Sequence, residues 1–331
     1  MTEDFVNRLG TLNNSPLGDG GKKKRQNKKM SSNLNLENEQ TGLNLVAQGE
    51  SNDYYNPVKK NTFSLQANPN REMKVTIITV TFNSEKFLED CIVSVINQQY
   101  ANIEHIIIDG ASTDSTLDII AKYKDHITAW ISEKDDGMYD AINKGMRLAT
   151  GDIIGTLNSD DTLSSPTVIN EIVSAFDEQK VDSVYGDLVY VDPLNTQKII
   201  RVWKGAPFKR SRYKIGWMPA HPTFYFKRKL LDQFGYYETH YFTASDYEFM
   251  ARYLFYFRVS AYYIPKLIVR MRTGGMSNVS LAKRLRANRR DYLAMKRNRI
   301  PFPFVVSLLK PLIKLHQYKR MGRYRNFNPV Y

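Results

Sequence analysis

The sequence has almost no cysteine and no long apolar run. Cys91 is the single cysteine among 331 residues, so the chain can form no internal disulfide. No stretch reaches the ~18 consecutive apolar residues of a membrane-spanning helix. The opening MTEDFVNRLG lacks the basic start and apolar stretch of a secretory signal. We therefore expect a reducing compartment and predict a cytoplasmic location.

Three common phosphate and metal motifs are also missing. The segment after the first strand-like run reads TFNSEKF, without the G-x-G-x-x-G of dinucleotide-binding proteins or the glycine-rich loop of a sugar-nucleotide pyrophosphorylase. No G-x-x-x-x-G-K-[ST] occurs, which excludes a P-loop enzyme. The five histidines are scattered, and no Cys/His set has zinc spacing. Any nucleotide site must therefore be of another kind.

The positive charge is concentrated near the end of the chain. Residues 283–325 hold fourteen Lys or Arg and one acid, Asp291, and the resulting +13 equals the net charge of the whole chain. A basic segment on a neutral body predicts attachment to an anionic membrane surface. Nucleic acid is the alternative partner, although the aromatic residues of the segment form no recognised stacking module.

The pattern of residues divides the chain into four parts. Residues 1–72 are rich in asparagine, lack spaced apolar residues and are predicted to be a disordered leader. From 73 to 180 strands alternate with helices, which predicts an α/β fold with a Rossmann-type, mostly parallel sheet and flanking helices. Residues 181–279 contain further strands and a helix. Residues 280–331 are predicted to be a basic, amphipathic helical tail, with two helices over 280–318 separated near Pro301 and Pro303.

Polar and acidic side chains end or follow each of the first four predicted strands, VTIITVTF, IEHIIID, ITAWIS and DIIGTLN. In chain order they include Thr81, Asn83, Asp109, Asp114, Asp135, Asp136, Asp160 and Asp161. Ligands of an open parallel sheet bind outside the carboxyl ends of its strands. Carboxylates gathered there are costly unless a cation or a donor-rich ligand pairs with them. The hard oxygen ligands at Asp160 and Asp161 predict Mn²⁺ or Mg²⁺, with substrate phosphates completing the shell.

Five sequence blocks in fixed order resemble family 2 glycosyltransferases. They are VTIITVTFN, IIIDGASTDST, SEKDDGMYDAINKG, GTLNSDD and TASDYEFMAR, and the resemblance runs from about residue 74 to residue 277. It implies the GT-A fold, with a nucleotide-sugar-binding half over 73–180 and an acceptor-binding half over 181–279. The nearest likeness is to the bacterial branch that builds O-antigen, capsule and exopolysaccharide.

The resemblance implies a nucleotide-binding role for residues at the strand ends and on the third predicted helix. Asp109 would accept a hydrogen bond from the base, usually uracil, and Lys144 would lie near the phosphates. The implied set is Thr81, Asn83, Asp109, Asp114, Lys144 and Ser159. Without the resemblance, Asp109 can also be interpreted as a brace of its turn and Lys144 as a solvated helix lysine.

The metal-binding D-x-D block of the family falls on Asn158-Ser159-Asp160, where asparagine replaces the first acid. Asp160 is thus the implied metal ligand, and Asp161 is a second ligand, a wall of the pocket or a cap of a helix over 162–167. The catalytic acid block falls on Ser245-Asp246, so Asp246 is the implied general base, although the usual preceding glutamate is missing. Weaker matches imply contacts to acceptor or diphosphate by His221, Arg272, Gly274, Gly275 and Ser277.

The resemblance implies a metal-dependent, inverting glycosyltransferase of bacterial cell-surface polysaccharide synthesis. A UDP-linked sugar is the expected donor, and a glycan or lipid-diphosphate-linked sugar is the expected acceptor, at the inner face of the cytoplasmic membrane. Asp246 would take the proton of the acceptor hydroxyl. Two alternatives stay open: a catalytically inactive relative, and a nucleic-acid- or membrane-binding protein that acts through its basic tail.

Overall fold

Strand β1 (Val75–Thr81) is buried along its whole length, as its nearly continuous apolar sequence predicts for a strand covered on both faces. The computed structural model of the chain describes residues 72–274 and 281–313, with the backbone alone for 281–286, 309 and 311–313. Strand β1 pairs in parallel with β2 (Ile103–Asp109) and with β4 (Ile153–Asn158), and β2 pairs in parallel with β3 (Ala129–Ser132). The parallel unit expected from the sequence is thus confirmed, in the order β3-β2-β1-β4.

Three helices make the crossovers between these strands: α1 (Leu88–Ile96), α2 (Thr116–Lys122) and α3 (Met138–Leu148). Each follows the carboxyl end of a strand, so the loops that join strand to helix all lie at one edge of the sheet. Alternate residues of β1 face different cores, because successive side chains of a strand point to opposite sides. Ile78 and Val80 pack in one buried cluster, whereas Val75 and Ile77 pack in another with Cys91.

The sheet continues beyond β4 through strands of both directions. Strand β8 (Tyr225–Lys227) is antiparallel to β4 and to β6 (Ser183–Val191), and β9 (Ala261–Arg272) is parallel to β6. Strands β5 (Asp161–Leu163) and β7 (Ile199–Trp203) pair antiparallel with β9 and β6. A Cβ on Gly155 of β4 would lie 2.1 Å from the Tyr225 ring, so glycine is needed where β8 packs against β4. In the described residues, strands from both predicted halves therefore share one mixed sheet.

The remaining helices of the α/β body are α4 (Val168–Gln179), α5 (Lys229–Phe234) and α6 (Ser245–Met250). Helix α6 continues as a π-helical stretch over Ala251–Tyr256, within the segment for which the sequence predicts one helix. Short 3₁₀ turns cover Lys124–His126, Arg210–Ile215, His221–Thr223 and Thr239–Ala244.

The predicted tail begins with two helices, α7 (Leu281–Arg297) and α8 (Pro303–Ile313), separated at the prolines as expected. The structure places them differently from a free appendage, because three of their side chains and one side chain of the linker between them lie in the larger core. These are Ala294, Met295, Ile300 and Val306. The end of α7 and the start of α8 therefore belong to the folded body. Among the residues that the structure describes, no helix has both the length and the apolar composition to cross a membrane.

Candidate active site

The carboxyl ends of β1 to β4 meet at one edge of the sheet. In the parallel register Thr81 lies opposite Asp109, Asp109 lies opposite Ser132, and Val80 lies opposite Asn158. The convergence of polar strand ends that the sequence predicts is therefore confirmed. It brings together loops that are separated by up to 80 residues along the chain, because each crossover helix returns the chain to the same edge.

Asp109 is fully buried at the end of β2. Its carboxylate accepts hydrogen bonds from the Ser112 N–H at 3.0 Å, from the Ser112 hydroxyl and from the Ser132 hydroxyl at 2.7 Å. The side chain thus holds the loop after β2 against the end of β3. A nucleotide base that donated a hydrogen bond to Asp109 would have to share carboxylate oxygens that already accept hydrogen bonds from Ser112 and Ser132.

The loop after β1 joins its neighbours on both sides. The Asn83 N–H donates to Ser112 Oγ at 2.8 Å, and its side-chain Oδ1 accepts from the Thr113 N–H at 2.9 Å. On the other side Ser84 Oγ and Ser159 Oγ share a hydrogen bond of 2.8 Å. Asn83 and Ser159, both expected in the nucleotide site, therefore border the same loop.

Two residues at this edge have left-handed backbone conformations. Asn83 has φ +48° and Ala111 has φ +63°, a left-handed region in which an alanine is uncommon. Gly110 packs closely against the next loop, because a Cβ there would lie 2.7 Å from Asp135 Oδ2 and would require that carboxylate to move. Such conformations persist where surrounding contacts enforce them, and they are common at binding sites.

Phe82 was not predicted to be a site residue, although it lies between Thr81 and Asn83. Its ring is 62% exposed at the edge where the strand ends meet. Beside it the Thr81 hydroxyl is buried, and it finds no hydrogen-bond partner within the described residues. The signal in the sequence was an aromatic residue between two polar ones at a strand end. An open aromatic face and a free buried hydroxyl together suit a planar, polar ligand.

Two residues of the expected nucleotide set are engaged by the protein. Asp114 accepts from the N–H groups of Glu85 and Thr116 at 3.1 and 3.0 Å. Although burial acts to raise the pKa of this carboxyl, its hydrogen bonds prevail and lower it. Lys144 forms an ion pair with Glu133 at 2.8 Å. Burial acts to lower the pKa of Lys144, but this pairing prevails and raises it. The structure thus places both beside the strand-end loops with protein partners.

The acidic pair after β4 is partly withdrawn from solvent. Asp161 is fully buried as the first residue of β5, so it does not cap a helix over 162–167, and Asp160 is half-buried. Burial raises the pKa of Asp160. Burial and the adjacent Asp160 carboxylate raise the pKa of Asp161 well above its ordinary value. The Asp161 carboxylate accepts from Asn158 Nδ2 at 3.0 Å and from the Arg272 N–H at 3.2 Å.

Arg272 lies against the back of this turn. Its guanidinium donates to the Asp160 carbonyl at 2.9 Å and to the Pro193 carbonyl at 3.3 Å, and it forms an ion pair with Asp90. The ring of Phe87 covers it, with the guanidinium carbon 4.8 Å from the ring centre. The expected contact of Arg272 with acceptor or diphosphate is not favoured by this position, because the buried guanidinium is already used by the protein. Gly274 follows with φ +113°, while Gly275 and Ser277 lie outside the described residues.

The residues at the acidic turn fit a hard divalent cation. Two adjacent buried carboxyls repel each other, and a cation there would relieve that repulsion. Among the described residues no cluster of three or more His, Cys, Asp or Glu forms a complete metal cage. Mg²⁺ and similar ions use one or two carboxylates and complete their shell with water and substrate phosphates. Asp160 is the better candidate ligand, because in the described residues no donor from another residue reaches its carboxylate.

Asp246 belongs to a second group, built around α6. Its half-buried carboxylate lies close enough to influence His221, Tyr139 and Tyr237. His221 Nε2 hydrogen-bonds the Tyr237 hydroxyl at 2.8 Å. Burial lowers the pKa of His221, against the opposing effect of Asp246. The structure thus brings His221 and Asp246 together.

Glu248, two residues after Asp246, has a different environment. It is fully buried and pairs with Arg252 at 3.0 Å, while Asn298 Nδ2 donates to it at 3.4 Å. Arg252 in turn donates to the carbonyls of Phe234 and Tyr236. Glu248 therefore stabilises α6 against neighbouring segments, and Asp246 is the acid of this helix that remains accessible.

Comparison with known proteins identifies the family. Residues 76–240 match the profile of glycosyl transferase family 2. An uncharacterised glycosyltransferase of Mycobacterium tuberculosis is 32% identical over 185 residues, which cover 54% of this chain and 68% of that protein. A PGL/p-HBAD biosynthesis glycosyltransferase of Mycobacterium bovis is 30% identical over 180 residues, with the same shares.

Solved structures share the fold at lower identity. Residues 1–349 of Staphylococcus aureus TarS, in complex with UDP-GlcNAc, have a TM-score of 0.54 at 20% identity, covering 68% of this chain and 66% of that chain. The mannosyltransferase PcManGT of Pyrobaculum calidifontis, in complex with GDP-Man and Mn²⁺, has a TM-score of 0.54 at 18% identity, covering 82% of this chain and 80% of its own. These likenesses concern the arrangement of helices and strands.

Proposed function

This chain belongs to glycosyltransferase family 2, and we propose that it transfers a sugar from a nucleoside-diphosphate donor to a hydroxyl group with inversion at the anomeric carbon. The observation that carries the proposal is the adjacent acidic pair of half-buried Asp160 and fully buried Asp161, at the edge where four parallel strands end. A site of this kind suits a ligand that brings both a diphosphate and a cation.

The nucleoside would lie against the loops after β1 and β2. Phe82 offers an exposed aromatic face, and the Thr81 hydroxyl needs a partner. Asn83 and Ser159 would border the same pocket, with Asp109 and Asp114 holding its loop in shape. A UDP-linked donor is the first candidate, because TarS is solved with UDP-GlcNAc, whereas the GDP-Man complex of PcManGT makes a GDP-linked donor the second.

Asp160 would bind Mn²⁺ or Mg²⁺, with Asp161 behind it. When bound, the ion would neutralise the leaving diphosphate and act as a Lewis acid. The chain contributes the position of the carboxylate, which Arg272 fixes through the Asp160 carbonyl. Lys144 would contact the donor phosphates only after its ion pair with Glu133 is broken.

Asp246 would act as general base. The acceptor oxygen attacks the anomeric carbon from the face opposite the diphosphate, and its proton passes to the Asp246 carboxylate as the bond to phosphate oxygen breaks. The nucleoside diphosphate leaves with the electron pair of that bond. His221 and Tyr139 lie near Asp246 and would line the path of the acceptor.

The acceptor would be a sugar on a glycan or lipid-diphosphate carrier, used in bacterial cell-surface polysaccharide synthesis at the inner face of the cytoplasmic membrane. The PGL/p-HBAD biosynthesis glycosyltransferase among the relatives supports a role in a biosynthetic pathway. O-antigen and capsule are the candidate products.

A screen of UDP- and GDP-sugars for Mn²⁺-dependent hydrolysis tests this function. We expect one donor to release its nucleoside diphosphate, and removal of metal with EDTA to stop the release. Donor binding without hydrolysis or transfer would instead support an inactive relative. No donor binding, together with salt-sensitive binding to nucleic acid, would support the nucleic-acid alternative.

A further inference from the structure

Helix α8 carries an apolar ridge on its outer side. Phe302, which precedes the helix, is 77% exposed, and Phe304 and Leu308 are 65% and 56% exposed. Val305 lies between them and is also exposed. We call these four residues the α8 ridge. Neighbouring exposed apolar side chains of this size mark an interaction surface.

The other side of α8 is fixed to the folded body. Val306 is buried in the larger core, and Lys310 forms an ion pair with Asp291 of α7 at 2.7 Å. The turn at Gly216 packs closely against α8, since a Cβ on this glycine would lie 3.2 Å from Lys310 Cβ. Helix α8 is therefore apolar on two sides and covered on one, and the ridge is held in a defined position.

Exposed basic side chains lie in the segments that adjoin α8, and we call them the basic border. Lys296 and Arg299 precede α8 and are exposed, and Lys214 is exposed in the adjoining turn. The single acid of residues 283–325, Asp291, is paired with Lys310, so it does not offset these charges. Apolar side chains within a positive border are the combination that binds the headgroup region of an anionic bilayer.

The ridge is packed close to the helix of the proposed base. Lys310 Nζ lies 3.8 Å from the centre of the Tyr247 ring, and Tyr247 directly follows Asp246. Asn298, after the end of α7, donates to Glu248 of the same helix. Helix α6 therefore contacts both α8, which carries the ridge, and the segment that follows α7.

We propose that the α8 ridge and its basic border dock the protein on an anionic lipid bilayer, with Phe302, Phe304 and Leu308 inserted at the headgroup boundary. The inference rests on the proposed function, because a lipid-linked acceptor lies at the membrane and must reach the proposed base on α6. A bilayer is a better occupant than a second copy of the chain, since two copies would bring like charges face to face.

Vesicle binding by the full chain tests the docking surface. Phe304→Ser combined with Leu308→Ser should lower partitioning onto phosphatidylglycerol–phosphatidylcholine vesicles by about 10-fold or more. Leu194→Ser is the matched control, because Leu194 is a 91% exposed apolar residue elsewhere on the chain. Lys214→Gln and Lys296→Gln should each lower binding about fivefold. Wild-type binding should weaken as salt rises and on vesicles of phosphatidylcholine alone.

Donor hydrolysis without lipid and the melting temperature are measured on the same samples. Reduced vesicle binding with unchanged hydrolysis and melting would support the docking surface. Equal binding by wild type and the double variant would overturn it, as would a wild-type dimer that the double variant loses. A wild-type protein that binds vesicles through the ridge but hydrolyses no donor would contradict the proposed function alone.

Discussion

The Arg272 guanidinium donates a 2.9 Å hydrogen bond to the main-chain carbonyl of Asp160, so the last strand of the sheet holds the acidic turn after β4. The same side chain pairs with Asp90 of α1, and the main-chain N–H of Arg272 donates to the Asp161 carboxylate. Three segments far apart in sequence thus meet at one buried arginine. A planar fork of donors suits this arrangement better than the single ammonium of lysine.

Arg272→Lys should weaken metal-dependent nucleotide binding while leaving the fold intact. Lysine keeps the positive charge but cannot reach the Asp160 carbonyl and Asp90 together. We expect the Mn²⁺-dependent affinity for UDP, measured by calorimetry, to fall about 10-fold or more, as for loss of a residue that orients a ligand. The melting temperature should fall modestly, because buried hydrogen bonds are lost.

Arg270→Lys is the matched control for this change. Arg270 is an equally buried arginine of the same strand and donates to the Thr196 carbonyl. Arg270→Lys should lower the melting temperature to a similar degree without a specific effect on the Mn²⁺-dependent affinity for UDP. Equal losses of affinity in both variants would mean that Arg272 acts only through general stability.

Asp160→Asn should abolish metal-dependent donor binding without destabilising the protein. The raised pKa of Asp160 shows that burial disfavours its ionised form, so a neutral amide should leave the melting temperature of the metal-free protein equal or higher. Removal of a group that orients a metal ligand lowers affinity ~10–100-fold, and we expect at least this loss here. Calorimetry should therefore show that the Mn²⁺-dependent affinity for UDP falls by this factor or more. Wild-type affinity in this variant would move the metal site elsewhere.

Asp246→Asn should separate binding from chemistry. The amide keeps the shape of the side chain but cannot accept a proton, so transfer to acceptor should fall about 10²-fold or more while UDP affinity is retained. Rates are measured per folded molecule, beside the melting temperature. Near-normal transfer by a stable variant would remove Asp246 from the mechanism.

Glu248→Gln is the control on the same helix. Because Glu248 pairs with buried Arg252, its loss should lower the melting temperature clearly. Turnover per folded molecule should change little. A larger effect on turnover than that of Asp246→Asn would assign the base to Glu248.

His105 should make the protein less stable in mild acid. Burial lowers the pKa of His105 to about 4, whereas the unfolded chain has the ordinary value of ~6.5. Between these two pH values His105 binds a proton in the unfolded state but not in the folded state. The free energy of unfolding is therefore retained above pH ~6.5 and falls as the pH is lowered toward 4, by roughly 3 kcal/mol at most. Urea unfolding of wild type and His105→Gln across this range measures the loss.

In His105→Gln this part of the pH dependence should disappear, because glutamine does not titrate. The solvent-exposed His126 provides the control, and His126→Gln should keep the wild-type dependence. The same pH profile in wild type and His105→Gln would show that other groups cause the acid sensitivity.

The sequence by itself determined the parallel half of the fold. The β-branched and mostly apolar run 75–82 and the isoleucine-rich run 103–109 are each followed by a helical stripe, a pattern that predicts buried parallel strands joined by right-handed crossovers. That topology forces the carboxyl ends together, so the gathering of Thr81, Asp109 and Asn158 at one edge was predictable.

Only the tertiary structure decided what each polar residue at that edge contacts. Asp109 and Lys144 bind protein partners, and Asp161 lies inside a three-residue strand too short to leave a periodic signal. The pairing of Arg272 with Asp90 spans 182 residues, and such contacts depend on how β9 returns across the sheet. Local patterns carry no information about a partner so distant in the chain.

The tail shows the same division. Its charge and its two helices could be predicted from its composition and from the positions of its prolines. Which side of α8 is buried was not, because that helix is apolar on two sides and its amphipathic pattern does not select one. The contact with the folded body determines which side is buried: Val306 packs in the larger core, while Phe304 and Leu308 are exposed. Burial depends on the surface that a helix meets, which the sequence of the helix does not contain.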